Sequence, residues 1–322
     1  MPLHFHHGQF KIMQMTDLHI GDDQEKDDLT EIQMRNLIEF EKPDLVVVTG
    51  DFIAGTAWNH TKGWFKSKWI QATRPFETMK VPYVYLLGNH DDEGELNRKE
   101  IITLDMQNKY SLTQIGPEEC LGAGNFFLPL YGSTNMTKVV STLWFFDSMG
   151  YDCNGIKGYG CVSNSTVNWY LKESYRLQHV HGLTPGLAFQ HIATRQFMDA
   201  WNKPEYIKLG EKHEVTGCSS SESGEYDAFV YRNEINGLFV GHDHVNDYIT
   251  NYNGIYLAYG MKTGFGGYGP CSWKERGVRM IILNEQFPRE WSTYIQTESN
   301  KRIDQINMNW RNGTQFKCDL EA

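Results

Sequence analysis

The chain has 322 residues, enough for one large domain or two small ones, and its 40% hydrophobic, 13% aromatic and 22% charged residues suit a well-packed globule. A formal net charge of -10 argues against a surface for long nucleic-acid polymers, which are bound through an excess of Lys and Arg. No run approaches the ~18 consecutive apolar residues of a membrane span.

The first segment, "MPLHFHHGQF", lacks the apolar core of a secretory signal. Residues 1–9 are set apart as an N-terminal extension, with its Met and histidines read as additions, and residues 10–322 as a single domain. "FKIMQM" starts as a strand, with Phe10 and Ile12 alternating before a polar turn. A helix is expected through "DLTEIQMRNLIEFEK", where Leu29, Ile32, Leu37 and Phe40 recur at helical spacing before Pro43 stops it. "DLVVVTGD" is a β-branched run of the kind buried on both faces. "HTKGWFKSKWIQATRPFETMK" reads as the next helix and "VPYVYLLGNHD" as the next buried strand. A β-α-β-α-β series of this kind implies a sheet with helices packed against it.

The second half leans toward strands: "GNFFLPLYGS", "STLWFFDSMG", "GLAFQHI", "GLFVGHD", "GIYLAYGMK" and "VRMIILN" are short apolar runs bounded by Gly, Asn or Asp. One helix is expected there, near "STVNWYLKESYRLQ", behind a Ser/Thr cap. No repeat, low-complexity tract or long linker divides the chain. Cys153 and Cys161 flank a Gly-containing loop at a distance suited to a local disulfide, and N-x-[ST] sequons occur at Asn59, Asn135, Asn164 and Asn312.

Four strands run into polar motifs: Asp17-Leu-His19, Gly50-Asp51, Gly88-Asn89-His90-Asp91 and Gly241-His242-Asp-His244. Functional groups gather where strand C-termini open into a crevice, and packing alone does not explain this repetition. Carboxylate oxygen, imidazole nitrogen and one amide oxygen suit Zn, Fe or Mn. They are too many for one tetrahedral ion. A pair of ions about 3.5–4 Å apart needs one bridging carboxylate, and Asp51 ends the central buried strand.

Between Asn89 and His242, His179, His181, His191 and His213 compete as a further ligand. His179 and His181 follow a helix in polar surroundings, and His213 lies in the charged stretch "GEKHE". His191 is favoured because it ends the apolar run "GLAFQ", like the other candidates. His242 and His244, two apart at a strand end, share a face and can reach different ions of one pair.

The ordered set D-x-H, G-D, G-N-H-[DE], His and G-H-x-H resembles the calcineurin-like metallophosphoesterase superfamily over roughly residues 10–283. "QMTDLHIGD", "EKPDLVVVTGD", "YVYLLGNHDD", "PGLAFQHI", "GLFVGHDHVND" and "GGYGPCSWKERGVR" look similar to its eukaryotic branch of probable inactive purple acid phosphatases. True purple acid phosphatases carry D-x-G where this chain has Asp17-Leu-His19, and a tyrosine where it has Ala54. A tyrosinate–iron colour centre is therefore not expected.

The resemblance implies a four-layer α/β/β/α sandwich of two mixed sheets, and two metal ions, with Fe, Zn or Mn the candidates. It assigns Asp17, His19, Asp51 and His244 to one ion, and Asp51, Asn89, His191 and His242 to the other. It implies hydrolysis of phosphomonoesters, of a small molecule or a phosphoprotein, by in-line attack of a hydroxide between the ions. Asn89 and His90 would contact substrate and His90 would protonate the leaving oxygen, a task suited to a near-neutral imidazole. Asp91 is a candidate to orient His90, and Arg98 a candidate to grip substrate oxygens. Phe265, Tyr268 and Trp273 are expected at the rim, with Tyr259 and Lys262 nearby. The rival readings are a phosphodiesterase or nucleotidase on the same ions, and a metal-loaded interaction protein without turnover. The sequons and even cysteine count favour a secreted, vesicular or lysosomal glycoprotein, with a cytoplasmic location also compatible.

Overall fold

The structure is a computed structural model and describes residues 2–270 and 274–305. β1 (Leu3–His4) and β2 (Gln9–Met15) lead to α1 (Gln24–Glu41), β3 (Leu45–Thr49), α2 (Trp64–Met79), β4 (Tyr83–Leu86) and α3 (Arg98–Asp105). Then come β5 (Phe126–Tyr131), β6 (Val139–Phe145), the small hairpin β7 (Tyr151–Cys153) and β8 (Ile156–Tyr159), and α4 (Asn164–His181). β9 (Gly186–Phe189), α5 (Arg195–Asn202), β10 (Lys208–Leu209), α6 (Glu225–Arg232) and β11 (Ile235–Val240) follow. The described chain ends with β12 (Ile249–Tyr252), β13 (Ile255–Tyr259), β14 (Gly277–Asn284), β15 (Trp291–Thr297) and β16 (Arg302–Asp304).

Two large mixed sheets result, with strand orders β1-β5-β6-β9-β11-β13-β12-β10 and β16-β15-β14-β2-β3-β4. Side-chain parity explains how they stack. Successive residues of a strand face opposite sides, so a strand apolar at every position must be covered twice. Ile12, Leu45, Val47, Val84 and Leu86 face Leu143, Phe145, Leu187, Phe189 and Phe239 of the other sheet. Their neighbours Met13, Met15, Val46, Val48 and Tyr85 turn the other way, onto Leu37 and Ile38 of α1 and Trp69 and Phe76 of α2. Beyond the second sheet, Trp144, Ala188 and Leu238 meet Trp169 and Tyr170 of α4 and Phe229 of α6. The layers are helix, sheet, sheet, helix, the expected four-layer sandwich.

Several local expectations are corrected. α1 forms, capped by the Asp23 side chain, but with a different buried face: Thr30, Met34, Leu37 and Ile38 are covered while Leu29, Ile32 and Phe40 are exposed. Apolar spacing located that helix but not its rotation, because Thr30 and Gln33 also lie on the buried side. In the second half α5 and α6 join α4; at 8 residues each they are too short for a clear helical period. Residues set apart as an extension contribute β1, paired in parallel with β5, and bury Leu3 and Phe5. The fold therefore takes up part of residues 1–9. Cys153 and Cys161 form a disulfide, closing the β7–β8 hairpin.

Candidate metal centre

Asp17, Asp51, His191 and His242 each lie two residues beyond the end of β2, β3, β9 and β11 respectively, and Asn89 lies three beyond β4. Within each sheet these strands run parallel, so their ends open on one edge. The backbone there is contorted: Asp17, His19, Asp51 and His242 take φ of 54°, 50°, 49° and 76°. Such conformations cost a non-glycine residue about 1 kcal/mol or more and concentrate at functional sites. Two glycines let the loops close up. A Cβ on Gly50 (φ 94°) would lie 2.4 Å from His191 Nδ1, and one on Gly88 would lie 2.1 Å from Asp51 Oδ1.

The donors fall into two groups that share Asp51. Ligand atoms of Asp17, His19, Asp51 and His244 all lie within 4.8 Å of one another, as do those of Asp51, His191 and His242. Asn89 Oδ1 joins the second group, 3.1 Å from His191 Nε2. Asp51 Oδ1 accepts from His90 N at 2.8 Å, while Oδ2 lies 3.2 Å from His191 Nε2 and 3.8 Å from His19 Nε2. All seven residues that the sequence nominated for metal are thus brought together.

Proton positions sharpen the picture. His191 Nδ1 donates to Thr49 O at 2.7 Å, so in the neutral ring Nε2 is an acceptor aimed at two other acceptors, Asn89 Oδ1 and Asp51 Oδ2. His244 repeats the pattern. Its Nδ1 donates to Tyr268 O at 2.8 Å, leaving Nε2 3.1 Å from His19 Nε2 and 3.5 Å from Asp17 Oδ1. Among the described residues, the buried Asp17 Oδ1 and Asp51 Oδ2 find no hydrogen-bond partner. Unpaired carboxylate oxygens and facing lone pairs are costly in a dry site unless a cation lies between them. The donor set fits two ions.

Electrostatics agree. Burial works against ionised Asp17 and Asp51, yet His244 holds Asp17, and His191 holds Asp51, well below the usual carboxylate range. Burial would also lower His191, but Asp51 outweighs it and raises the imidazole to about 9. A proton there occupies a place suited to a metal. Burial pushes His242 down to about 3 and lowers His19, keeping both as neutral donors.

His90 lies at the mouth, half-buried, its ring 5.5 Å from that of His19 and its Nδ1 2.5 Å from Glu93 Oε2. Burial opposes its protonation, but Asp51 and then Glu93 raise its pKa above the ordinary value. Asp91 does not orient His90. It is buried and accepts from the backbone N–H groups of Asp51, Ile53 and Gly88, fixing the loops beneath the site.

Arg98 is also corrected. Its guanidinium is buried and donates to both Asp147 oxygens, to Asp92 Oδ1 and to the carbonyls of Leu87 and Gly88, leaving no N–H for a substrate oxygen. It holds the loop that carries Asn89. Lys262 is likewise enclosed, donating from Nζ to Asp17 O at 2.8 Å, and burial pushes its pKa down to about 7. Tyr259 is wholly buried, Phe265 is half-buried and Trp273 lies outside the described residues.

Of the rim, the sequence pointed to Tyr268 but not to Tyr151 or Tyr159. Tyr151 O–H donates to Glu93 Oε1 at 2.9 Å and accepts from Asn89 Nδ2 at 3.3 Å. Tyr159 meets the His242 ring edge-on, with centroids 4.3 Å apart. Tyr268 stacks on His244 at 3.9 Å, and its hydroxyl donates to Glu214. The suspected disulfide at residues 153 and 161 was the one signal that this segment is held in place.

A family model described as Calcineurin-like phosphoesterase matches residues 10–246. The chain is 31% identical over 329 residues to Probable inactive purple acid phosphatase 29 of Arabidopsis thaliana, covering 92% of this chain and 83% of that protein. It is 30% identical to Phosphatase DCR2 of Saccharomyces cerevisiae, over 86% of this chain and 52% of that protein. Among solved structures, a dimetal phosphatase from Danio rerio matches 92% of this chain and 96% of its own with a TM-score of 0.58 at 11% identity. GAP50, the anchor in the inner membrane complex of Plasmodium, matches 94% and 90% with a TM-score of 0.55 at 12% identity.

Proposed function

This chain belongs to the calcineurin-like phosphoesterase family, and from that premise we propose that it is a metal-dependent phosphatase acting on phosphomonoesters. The observation that carries the reading is the pair of donor groups joined at Asp51, with buried carboxylate oxygens left unpartnered. In this reading Asp17, His19, His244 and Asp51 hold one ion, and His191, His242, Asn89 and Asp51 hold the other. Two ions would supply an activated water and positive charge for the phosphoryl oxygens.

The chain's own residues do the rest. Asn89 fixes the phosphoryl group from the side of His191. His90, with Nδ1 engaged by Glu93, keeps Nε2 to deliver a proton to the departing alcohol or phenol oxygen. Glu93 sets the ring's orientation, and Tyr151 holds the other oxygen of Glu93. The names of relatives bring in a silent interaction protein as the second reading, since "probable inactive" describes the Arabidopsis relative and "anchor" describes GAP50. A complete donor set and a half-exposed, carboxylate-oriented His90 favour turnover.

The test is removal and return of metal. Dialysis against a chelator should abolish hydrolysis of aryl and alkyl monophosphates, and Mn, Zn or Fe should restore it, with diesters hydrolysed more slowly. Metal-replete protein with no turnover of any ester would give way to the silent reading. Faster turnover of diesters would favour the phosphodiesterase.

We infer a secreted or vesicular setting from the disulfide and from three exposed sequons at Asn59, Asn135 and Asn164. Among the described residues no helix is long and apolar enough to cross a membrane. Protein from its native source should shift in mobility on treatment with an N-glycosidase; no shift would remove the glycosylation argument.

A further inference from the structure

The β7–β8 hairpin has little core of its own: Tyr151, Asp152 and all of β8 are exposed, while Cys153 is buried. Two short strands are not stable alone in water. This pair is fixed by other means. The Cys153–Cys161 disulfide closes it, Gly160 N donates to Gly150 O at 3.1 Å, and Ser220 donates from Oγ to the carbonyls of Ile156 and Tyr159 at 2.9 Å each. What the hairpin holds in place is a pair of tyrosines. Tyr151 and Tyr159 are register partners whose rings stack 6.3 Å apart, and they remain 48% and 38% exposed. Tyr151 reaches Asn89 and Tyr159 packs on His242, so both rings border the second donor group. Tyr268 borders the first group, lying flat on His244 and 58% exposed.

Large rings left half-exposed at fixed positions beside a polar site are suited to stacking with a planar group. We infer, resting on the phosphatase reading above, that the preferred substrates are phosphate esters of phenols, whose leaving ring lies against Tyr151 and Tyr159. Proximity selects a ring joined directly to the ester oxygen. Tyr159 is in contact with a candidate metal ligand, so a phenyl ester places its ring at once beside the hairpin, whereas a nucleobase lies a sugar's length further out. Glu93 and Glu214, held at the rim by Tyr151 and Tyr268, repel additional phosphate groups.

The experiment is binding rather than turnover: calorimetry of the metal-loaded protein with methyl-, cyclohexyl- and phenylphosphonate, which cannot be hydrolysed. Cyclohexyl matches phenyl in apolar area but offers no π face. Phenylphosphonate should bind about fivefold more tightly than cyclohexylphosphonate, the worth of one aromatic pair. Tyr159→Leu should shrink that preference below about twofold, and Tyr159→Phe should keep it. Equal binding of phenyl and cyclohexyl, or a preference that survives in Tyr159→Leu, overturns this inference alone. Tighter binding of a nucleoside monophosphate than of phenylphosphonate, lost in Tyr159→Leu, overturns it in favour of a nucleobase. If none of the phosphonates binds, the phosphatase reading falls and this inference with it.

Discussion

The floor of the cleft and its rim are built differently. The floor consists of residues two to four positions beyond strand ends, whose placement is dictated by the backbone of two sheets. The rim consists of tyrosines held by a disulfide, side-chain hydrogen bonds and ring contacts. On the phosphatase reading proposed above, the difference assigns chemistry to the floor and selectivity to the rim, and the two can be tested separately. Asp51→Asn tests the floor most severely, because it removes charge from the residue shared by both donor groups. Turnover should fall by about 10³-fold or more, since ion-held charge stabilisation is worth several kcal/mol and each 1.36 kcal/mol is tenfold. Elemental analysis should find less than the full complement of metal. An Asp51→Asn variant that keeps both ions and most of its activity would break the distinction.

Arg98 sharpens the same comparison, since the sequence placed it with substrate and the structure places it under the floor. Its pair with Asp147 is buried, at 2.6 Å from Nη2 to Oδ1. Removing one partner of such a pair strands the other charge and typically costs about 3–5 kcal/mol. Arg98→Ala should therefore lower the denaturant midpoint strongly, while KM of the folded fraction stays within about twofold, as expected for a residue that makes no uniform substrate contact. A tenfold rise in KM without loss of stability would return Arg98 to the substrate.

The floor was legible in the sequence because one grammar repeats: an apolar strand, then a ligand within two to four positions. His191 was chosen among four histidines on that grammar alone, and its Nε2 lies 3.2 Å from Asp51. The sandwich itself was implied by resemblance, with the strand pattern compatible. Tyr268 was legible at the rim from its Gly-rich stretch, but Tyr151 and Tyr159 were not, because they reach Asn89 and His242 across 62 and 83 positions, through contacts that leave no local pattern. Arg98 suits phosphate by its guanidinium alone, and only the tertiary partner Asp147, 49 residues on, reveals that it is buried and already engaged. The rotation of α1 failed because polar Thr30 and Gln33 face inward, giving side-chain hydrogen bonds to or from the loop at Thr263 and Phe265.

Buried carboxylates outside the floor give the smallest and most specific comparison. Asp51 and Glu225 are both enclosed and each has an oxygen without a partner among the described residues, yet their pKa values shift in opposite directions. Asp51 is ringed by histidines and is held low. Glu225, at the start of α6, receives among the described residues only a 3.4 Å contact from Gln190 Nε2, and burial pushes it from 4.5 up to about 8. Below the ordinary value both folded and unfolded chains carry this proton, and stability does not depend on it. Between there and about 8 the unfolded chain has released the proton while the folded chain keeps it, so stability falls as pH rises, by about 1.4 kcal/mol per pH unit at most. Glu225→Gln removes the titration while keeping the size and neutrality of the protonated side chain. The variant should match the wild type near pH 4.5 and exceed it increasingly up to about pH 8, beyond which the gap is constant. Taking the difference between the two curves isolates this group, because Asp105 and Asp243, pushed by burial to about 6 and about 7, titrate in both proteins. Parallel urea midpoints across that window would mean that Glu225 ionises inside the fold, paired with a cation as the floor carboxylates are, and the contrast with Asp51 would disappear.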